Sequence, residues 1–201
     1  MGAKRVAIMN QQDLIEQYFA AFSKLDEMLA DELLHPVAWQ LASGDCDHQG
    51  FKRWRPAKLE TEPSLLKKVY GQLPAPFPPL FERMVLSYRW AEVDLFSYRL
   101  LANPPGPNLM GLLNEISFAS GLWEALIPAG FIQFGQGPGL DYDPVCFDTR
   151  SRSKSGDYRI VKIDHEGILC NYRVRIVDEL APSFEQLVVD TIQRGDSIKT
   201  V

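Results

Sequence analysis

Four short runs rich in β-branched and aromatic residues follow one another in the C-terminal half of the chain. They span residues 131–134, 145–148, 158–165 and 171–177, and clusters of Gly, Asp and Ser separate them. Short runs of this composition, bounded by turn residues, are typical of β-strands. Because strands joined by short connections pair antiparallel, this half of the chain predicts an antiparallel meander.

The N-terminal half has a helical pattern instead. Large apolar residues recur at three- and four-residue steps over residues 11–34, which predicts an amphipathic helix. Asn10 is the expected N-cap and Pro36 the expected stop. The apolar stripe consists of Leu14, Tyr18, Phe22, Leu25, Leu29 and Leu33. In water such a stripe would drive association, so we expect the helix to pack on the rest of the chain rather than form a dimer seam.

Residues 43–60 lose this periodicity and predict a loop that is packed through Trp54. Basic residues surround Phe51 and Trp54 within it, and such a mixture can bind a phosphate chain. The cluster is short, however, and the whole chain is acidic, so a packed loop is the preferred interpretation. The basic residues are Lys52, Arg53, Arg55 and Lys58.

The remaining segments complete an α+β pattern of helices, then strands, then a closing helix. Ser183 and Gln186 form a capping-box pattern at the start of that last helix, and Gly195 is its expected stop. We expect residues 1–60 to form a helix and loop packed on the core, and residues 61–201 to form the main domain. Further helices are predicted at 63–73, 79–88, 109–116 and 122–126, with extended chain at 93–101.

Composition narrows the class of protein. The 201 residues carry a net charge of −5, whereas a protein that binds phosphate backbones usually has a basic surplus. The three cysteines are far apart in the chain, which disfavours a disulfide framework. No apolar stretch reaches the length of a membrane span. These features predict a cytoplasmic protein that binds neither nucleic acid nor membrane.

Candidate catalytic patterns are weak. The glycine-rich segment 135–139 is followed by turn and strand residues, not by the helix that a dinucleotide site needs, so a hairpin loop is expected there. Three clusters of acidic, Cys or His residues could hold a metal ion, but structural roles are favoured for each. These clusters are Asp45 to His48, the set Asp141, Asp143 and Asp148, and the set Asp164, His165 and Glu166, which we place at the end of a strand.

Several pieces, in order, resemble the SMI1/KNR4 (SUKH) superfamily over residues 63–195. The segment SLLKKVYGQLPAPFPPLFERMV resembles its opening helix, "LP" turn and second helix. The segments FIQFGQGPGLDYDPVCFDT and YRIVKIDHEGIL resemble its hairpin and following strand. The segment APSFEQLVVDTI resembles its closing helix. The resemblance implies a mixed, mostly antiparallel curved sheet flanked by helices, here with an N-terminal helical extension.

The resemblance also implies a protein-binding module without catalytic residues, metal or cofactor. Many bacterial relatives are immunity proteins that neutralise toxins, often nucleases, by binding them. We therefore expect a protein partner, a monomer or weak dimer, and a contact surface that includes Asp141, Asp143 and Asp148. Two alternatives stay open: a metal-assisted hydrolase using the acidic and His clusters, and a small-molecule sensor with a pocket on the curved face of the sheet.

Overall fold

The computed structural model describes residues 10–22, 29–31 and 38–197 and contains both helices and strands. The helices are α1 (Gln11–Phe22), α2 (Leu66–Tyr70), α3 (Pro79–Ser87), α4 (Met110–Ser117), α5 (Ser120–Leu126), α6 (His165–Asn171) and α7 (Phe184–Ser197). The strands are β1 (Leu29–Asp31), β2 (Ala42–Cys46), β3 (Phe51–Trp54), β4 (Ala57–Lys58), β5 (Tyr88–Arg89), β6 (Val93–Leu95), β7 (Tyr98–Leu100), β8 (Phe131–Gln136), β9 (Pro144–Asp148), β10 (Arg159–Ile163) and β11 (Ile176–Ala181).

A six-stranded sheet forms the centre of the fold. Its order is β11-β10-β9-β8-β7-β6, and every neighbouring pair is antiparallel. Each strand therefore pairs with the next one in the chain, which confirms the predicted meander and the predicted α+β class. Two smaller sheets, β1-β3-β2 and β4-β5, accompany it.

The strand predicted over residues 171–177 begins later in the structure, so that only Ile176 and Val177 of that range lie on it. Residues 165–171 form α6, and the sixth strand, β11, begins only at Ile176. The Asp164 carboxylate accepts a hydrogen bond from the Gly167 amide at 2.9 Å, which caps the first turn of the helix. This cap starts a helix although the neighbouring residues favour a strand, so His165 lies on a helix and not at a strand end.

One face of the sheet carries the main core. Phe134 and Phe147 stack with ring centroids 4.2 Å apart, and Phe81 from α3 and Phe184 from α7 pack edge-on or tilted against them. The opposite face carries a smaller apolar cluster, which α5 and α6 cover. Its buried members are Leu122, Leu126, Phe131, Cys146, Val161, Ile163 and Ile168.

The N-terminal helix is part of the main core. α1 packs on α7, and Phe19 stacks on Tyr88 with centroids 4.2 Å apart. The Tyr18 and Tyr98 hydroxyls are 2.5 Å apart in the interior. Asn10 caps the helix as predicted, because its side chain accepts a hydrogen bond from the Gln12 amide at 3.0 Å.

Two other N-terminal predictions were wrong. The helix predicted over 11–34 ends at Phe22, and residues 29–31 form β1, which pairs with β3. From Phe22 onward, the predicted stripe lies outside the residues whose side chains are described. The segment 43–60 contains three strands instead of a loop, although Trp54 is buried as expected. Asp47 closes the β2–β3 hairpin by accepting hydrogen bonds from the Gln49 and Phe51 amides.

The closing helix begins as predicted but ends later. The Ser183 hydroxyl accepts a hydrogen bond from the Gln186 amide, and the Asp157 carboxylate accepts two more from Phe184 and Glu185. Gly195 does not stop the helix. A Cβ placed there would lie 3.4 Å from the Ala21 methyl group, so this glycine serves the close approach of α1 and α7.

Within the described residues, no helix has both the length and the apolar character needed to cross a membrane.

We predict that Phe19→Ala lowers the free energy of unfolding by about 3–5 kcal/mol, because it removes a buried ring from the core. Urea unfolding of the full chain measures this. Gln12→Ala on the same helix is the control, with an expected change within about 0.5 kcal/mol. Equal stabilities of the two variants would show that α1 is not part of the cooperative core.

Candidate functional site

The turn between β8 and β9, residues 137–143, contains two of the three predicted site residues; we call it the acidic turn. It is closed by hydrogen bonds from the Gly137 amide to the Asp143 carbonyl at 2.9 Å and from the Asp143 amide to the Asp141 carboxylate at 3.0 Å. A Cβ at Gly137 would lie 2.1 Å from Asp141 Cγ, so a side chain at this position would displace Asp141.

Three neighbouring elements hold the acidic turn in place. Arg99 of β7 donates hydrogen bonds to the Gly139 carbonyl at 2.9 Å and to Asp94. Lys162 of β10 forms a 3.0 Å ion pair with Asp141. At the start of α6, both the amide and Nδ1 of His165 lie within hydrogen-bond distance of one Asp143 carboxylate oxygen, at 3.0 and 2.6 Å. The turn is therefore fixed from outside as well as from within.

The structure places Asp148 apart from the other two predicted site residues. It ends β9 at the opposite end of the strand from the acidic turn, and its side chain is 1% exposed. Arg150 and Arg159 each bind its carboxylate at 2.7 Å. Burial alone would raise the pKa of Asp148, but these two guanidinium groups outweigh it and lower the pKa. A partner contact by Asp141, Asp143 or Asp148 stays a prediction.

The clusters considered as metal ligands do not converge in the structure. Among the described residues, no three His, Cys, Asp or Glu side chains come together as a metal-binding group. Asp164 caps α6 and forms an ion pair with Arg175 at 2.6 Å, while His165 turns to Asp143. The third cluster, Asp45 to His48, lies on β2 and in the hairpin turn after it.

The curved face proposed for a sensor pocket is filled by core side chains from α3, α4 and α7. A shallow surface pocket of about 400 Å³ lies elsewhere, between residues 60–63 and the C-terminal half of α3. The sensor hypothesis stays a prediction.

Four exposed apolar side chains lie on the acidic turn and on α6. Leu140 and Tyr142 project from the turn and are 86% and 54% exposed. The Tyr142 ring approaches the His165 ring at 6.2 Å between centroids, which connects the turn to α6. Leu169 lies one helical turn after His165 and is 57% exposed, and Tyr172 at the end of the helix is 88% exposed. We refer to Leu140, Tyr142, Leu169 and Tyr172 as the ridge.

Tyr172 adopts a backbone conformation that tyrosine rarely takes. Its φ and ψ are 54° and 32°, in the left-handed region, where it ends α6. Glycine or asparagine usually occupies this position, because a Cβ costs about 1–2 kcal/mol there. A strained and fully exposed aromatic residue contributes little to folding, so it is a candidate for a contact with another molecule.

Sequence reasoning missed the ridge because it placed residues 171–177 on a strand. The available signal was Asp164 followed three residues later by Gly167, a spacing suited to an N-cap. With a helix over 165–171, His165 and Leu169 share one face, and Tyr172 becomes the residue that ends it.

Comparison with models of known protein families and with curated proteins finds no match.

We predict that Tyr172→Gly raises the free energy of unfolding by about 0.5–1 kcal/mol. Glycine removes the cost of a Cβ in the left-handed conformation, and the greater conformational entropy of glycine in the unfolded chain offsets only part of this gain. Chemical denaturation measures this change. Tyr172→Ala is the matched control, since it removes the ring and keeps the strain. If the glycine variant were no more stable than the alanine variant, the backbone at 172 would not be strained.

We predict that Asp148→Asn destabilises the fold by about 1–3 kcal/mol at pH 7, because it removes the carboxylate that pairs with two arginines. A lowered pKa in the folded state gives stability that is present above about pH 4 and is lost as pH falls through the folded pKa. The variant should therefore lose less stability than the wild type between about pH 5 and pH 2. Urea titrations at several pH values test this, with the exposed Asp45→Asn as the control. Parallel pH curves for wild type and Asp148→Asn would contradict it.

Proposed function

We propose that the chain is a non-enzymatic, cytoplasmic protein-binding module of SMI1/KNR4 type that acts as a monomer or weak dimer. The observation that carries this proposal is the ridge: exposed apolar side chains that stand on a turn and a helix fixed in position by hydrogen bonds and ion pairs. Single exposed apolar residues are common, but a linked series on a rigid support is the arrangement that recognition uses.

The energetics of the ridge suit a protein partner. Full burial of one large apolar side chain is worth about 1.5–3 kcal/mol. The bonds from Arg99, Lys162 and His165 hold the acidic turn before any partner arrives. Binding then costs little ordering entropy, so more of the burial free energy contributes to affinity.

The charges around the ridge favour a basic partner. The four carboxylates of Glu92, Asp94, Asp141 and Asp143 lie in or beside the acidic turn, and the two cations Arg99 and Lys162 that pair with them leave a net negative charge. The chain as a whole carries −5. An acidic rim speeds encounter with a basic surface and disfavours acidic ones. Together with the resemblance to immunity proteins, this supports a nuclease-type toxin as the partner and does not support direct contact with nucleic acid or membrane.

We predict that the purified chain binds a nuclease toxin domain encoded beside its own gene and inhibits that nuclease. Tyr142→Ala and Leu169→Ala should each raise the dissociation constant about tenfold or more, because central apolar contacts dominate interface energies. Leu59→Ala, which shortens an exposed leucine outside the ridge, is the matched control. Calorimetric titration and a nuclease assay measure the two effects. If no such domain binds, or if all three variants bind alike, the proposal is wrong.

A further inference from the structure

The hairpin loop between β9 and β10 is strongly basic and rich in serine. Its sequence after Asp148 is TRSRSKSGD, in which Arg and Lys alternate with Ser over residues 150–155. Residues 152–155 are all exposed. This loop follows the opposite end of β9 from the acidic turn, so it is separate from the ridge.

The two central serines differ in their surroundings. The Ser153 hydroxyl accepts a hydrogen bond from the Asp157 amide at 3.0 Å, which ties it into the loop. The Ser155 hydroxyl is 2.8 Å from the Ser153 hydroxyl. Among the described residues, the Ser155 hydroxyl forms no other side-chain hydrogen bond, so it is less constrained than the Ser153 hydroxyl.

The arginines that precede the serines differ in the same way. Arg150, three residues before Ser153, is bound by Asp148 at 2.7 Å and lies over the Phe131 ring at 4.2 Å. Arg152, three residues before Ser155, is exposed. Neither Arg152 nor Lys154 forms an ion pair with another residue that the structure describes. A kinase with an acidic substrate groove recognises an arginine at this spacing through charge-assisted hydrogen bonds, and here Arg152 is the accessible one.

We propose that Ser155 is a phosphorylation site for a basophilic serine/threonine kinase, a kinase that selects arginine three residues before the acceptor serine. The Ser155 oxygen attacks the γ-phosphorus of ATP, and the bond between that phosphorus and the β–γ bridging oxygen breaks. The hydroxyl proton passes to the catalytic carboxylate of the kinase. The products are ADP and phosphoserine at position 155.

The loop can both open for the kinase and hold the product. Three hydrogen bonds close it, from Ser153 N to Asp157 O, from Gly156 N to Ser153 O and from Asp157 N to the Ser153 hydroxyl. All three lie between the end of β9 at Asp148 and the start of β10 at Arg159, and they use the backbone of Asp157 rather than the carboxylate that caps α7. Arg152 Nη2 lies 3.7 Å from the position of a Cβ at Gly156, next to Ser155. A phosphate with a charge of about −1.5 to −2 at Ser155 would therefore have a guanidinium beside it and would neutralise the basic loop.

The test incubates the full-length chain with ATP and a purified serine/threonine kinase of R-x-x-S specificity. Mass spectrometry should find one phosphoryl group per chain, at Ser155. Ser155→Ala should abolish incorporation, and Ser153→Ala should leave it intact. Arg152→Ala should slow the reaction about tenfold or more, because Arg152 is exposed and can enter the kinase groove. Arg150→Ala should change the rate by less than about twofold, because Arg150 is held by Asp148.

A peptide spanning residues 148–158 separates the role of the fold from the role of the sequence. In the peptide Arg150 is no longer held by a folded Asp148–Phe131 site, so Ser153 and Ser155 should both be phosphorylated. No incorporation into the folded chain, or incorporation at Ser153 in preference to Ser155, would overturn the proposal.

Discussion

The stacked pair of Phe134 and Phe147 is the contact on which the rest of the structure depends. The two rings come from adjacent strands, β8 and β9, and lie 4.2 Å apart. Phe81 from α3 and Phe184 from α7 pack against the two rings, so this pair joins two strands of the sheet to two helices. α1 reaches the same core through α7 and Tyr98. The N-terminal helix is therefore stabilised by the sheet although it lies far from it in the sequence.

The same two strands determine where the ridge lies. An antiparallel pair must turn, and residues 137–143 make that turn beside the ends of β7 and β10 and the start of α6. Arg99, Lys162 and His165 each occupy one of these neighbouring elements. Their partners in the turn are a backbone carbonyl and two carboxylates, so the polar groups of the turn are bound within the chain. The most exposed large side chains of the turn are apolar, namely Leu140 and Tyr142.

The sequence pattern predicted the fold where local signals and tertiary packing agree. The meander of β8, β9 and β10, the capped start of α7 and the N-cap at Asn10 all follow from residues within a few positions. The wrong predictions fall where a single side chain determines the local secondary structure. Asp47 turns an apparently featureless segment into a hairpin, and Asp164 starts a helix where a strand was expected. The ridge was missed because Tyr142 and Leu169 are 27 positions apart, and the Tyr142–His165 contact that joins the turn to α6 exists only in the folded chain.

The two ends of β9 differ in how they are held, and this difference distinguishes the proposed binding surface from the proposed phosphorylation site. The acidic turn is bonded to three other elements, so little of it remains to be ordered when a partner binds. The 153–157 loop is closed by bonds that lie outside both strands, and its last residue, Asp157, also caps α7. A phosphate added there would change the charge of the molecule at a distance from the ridge. Its effect on an acidic binding surface would then be electrostatic: it would strengthen the attraction for a basic partner and weaken with added salt.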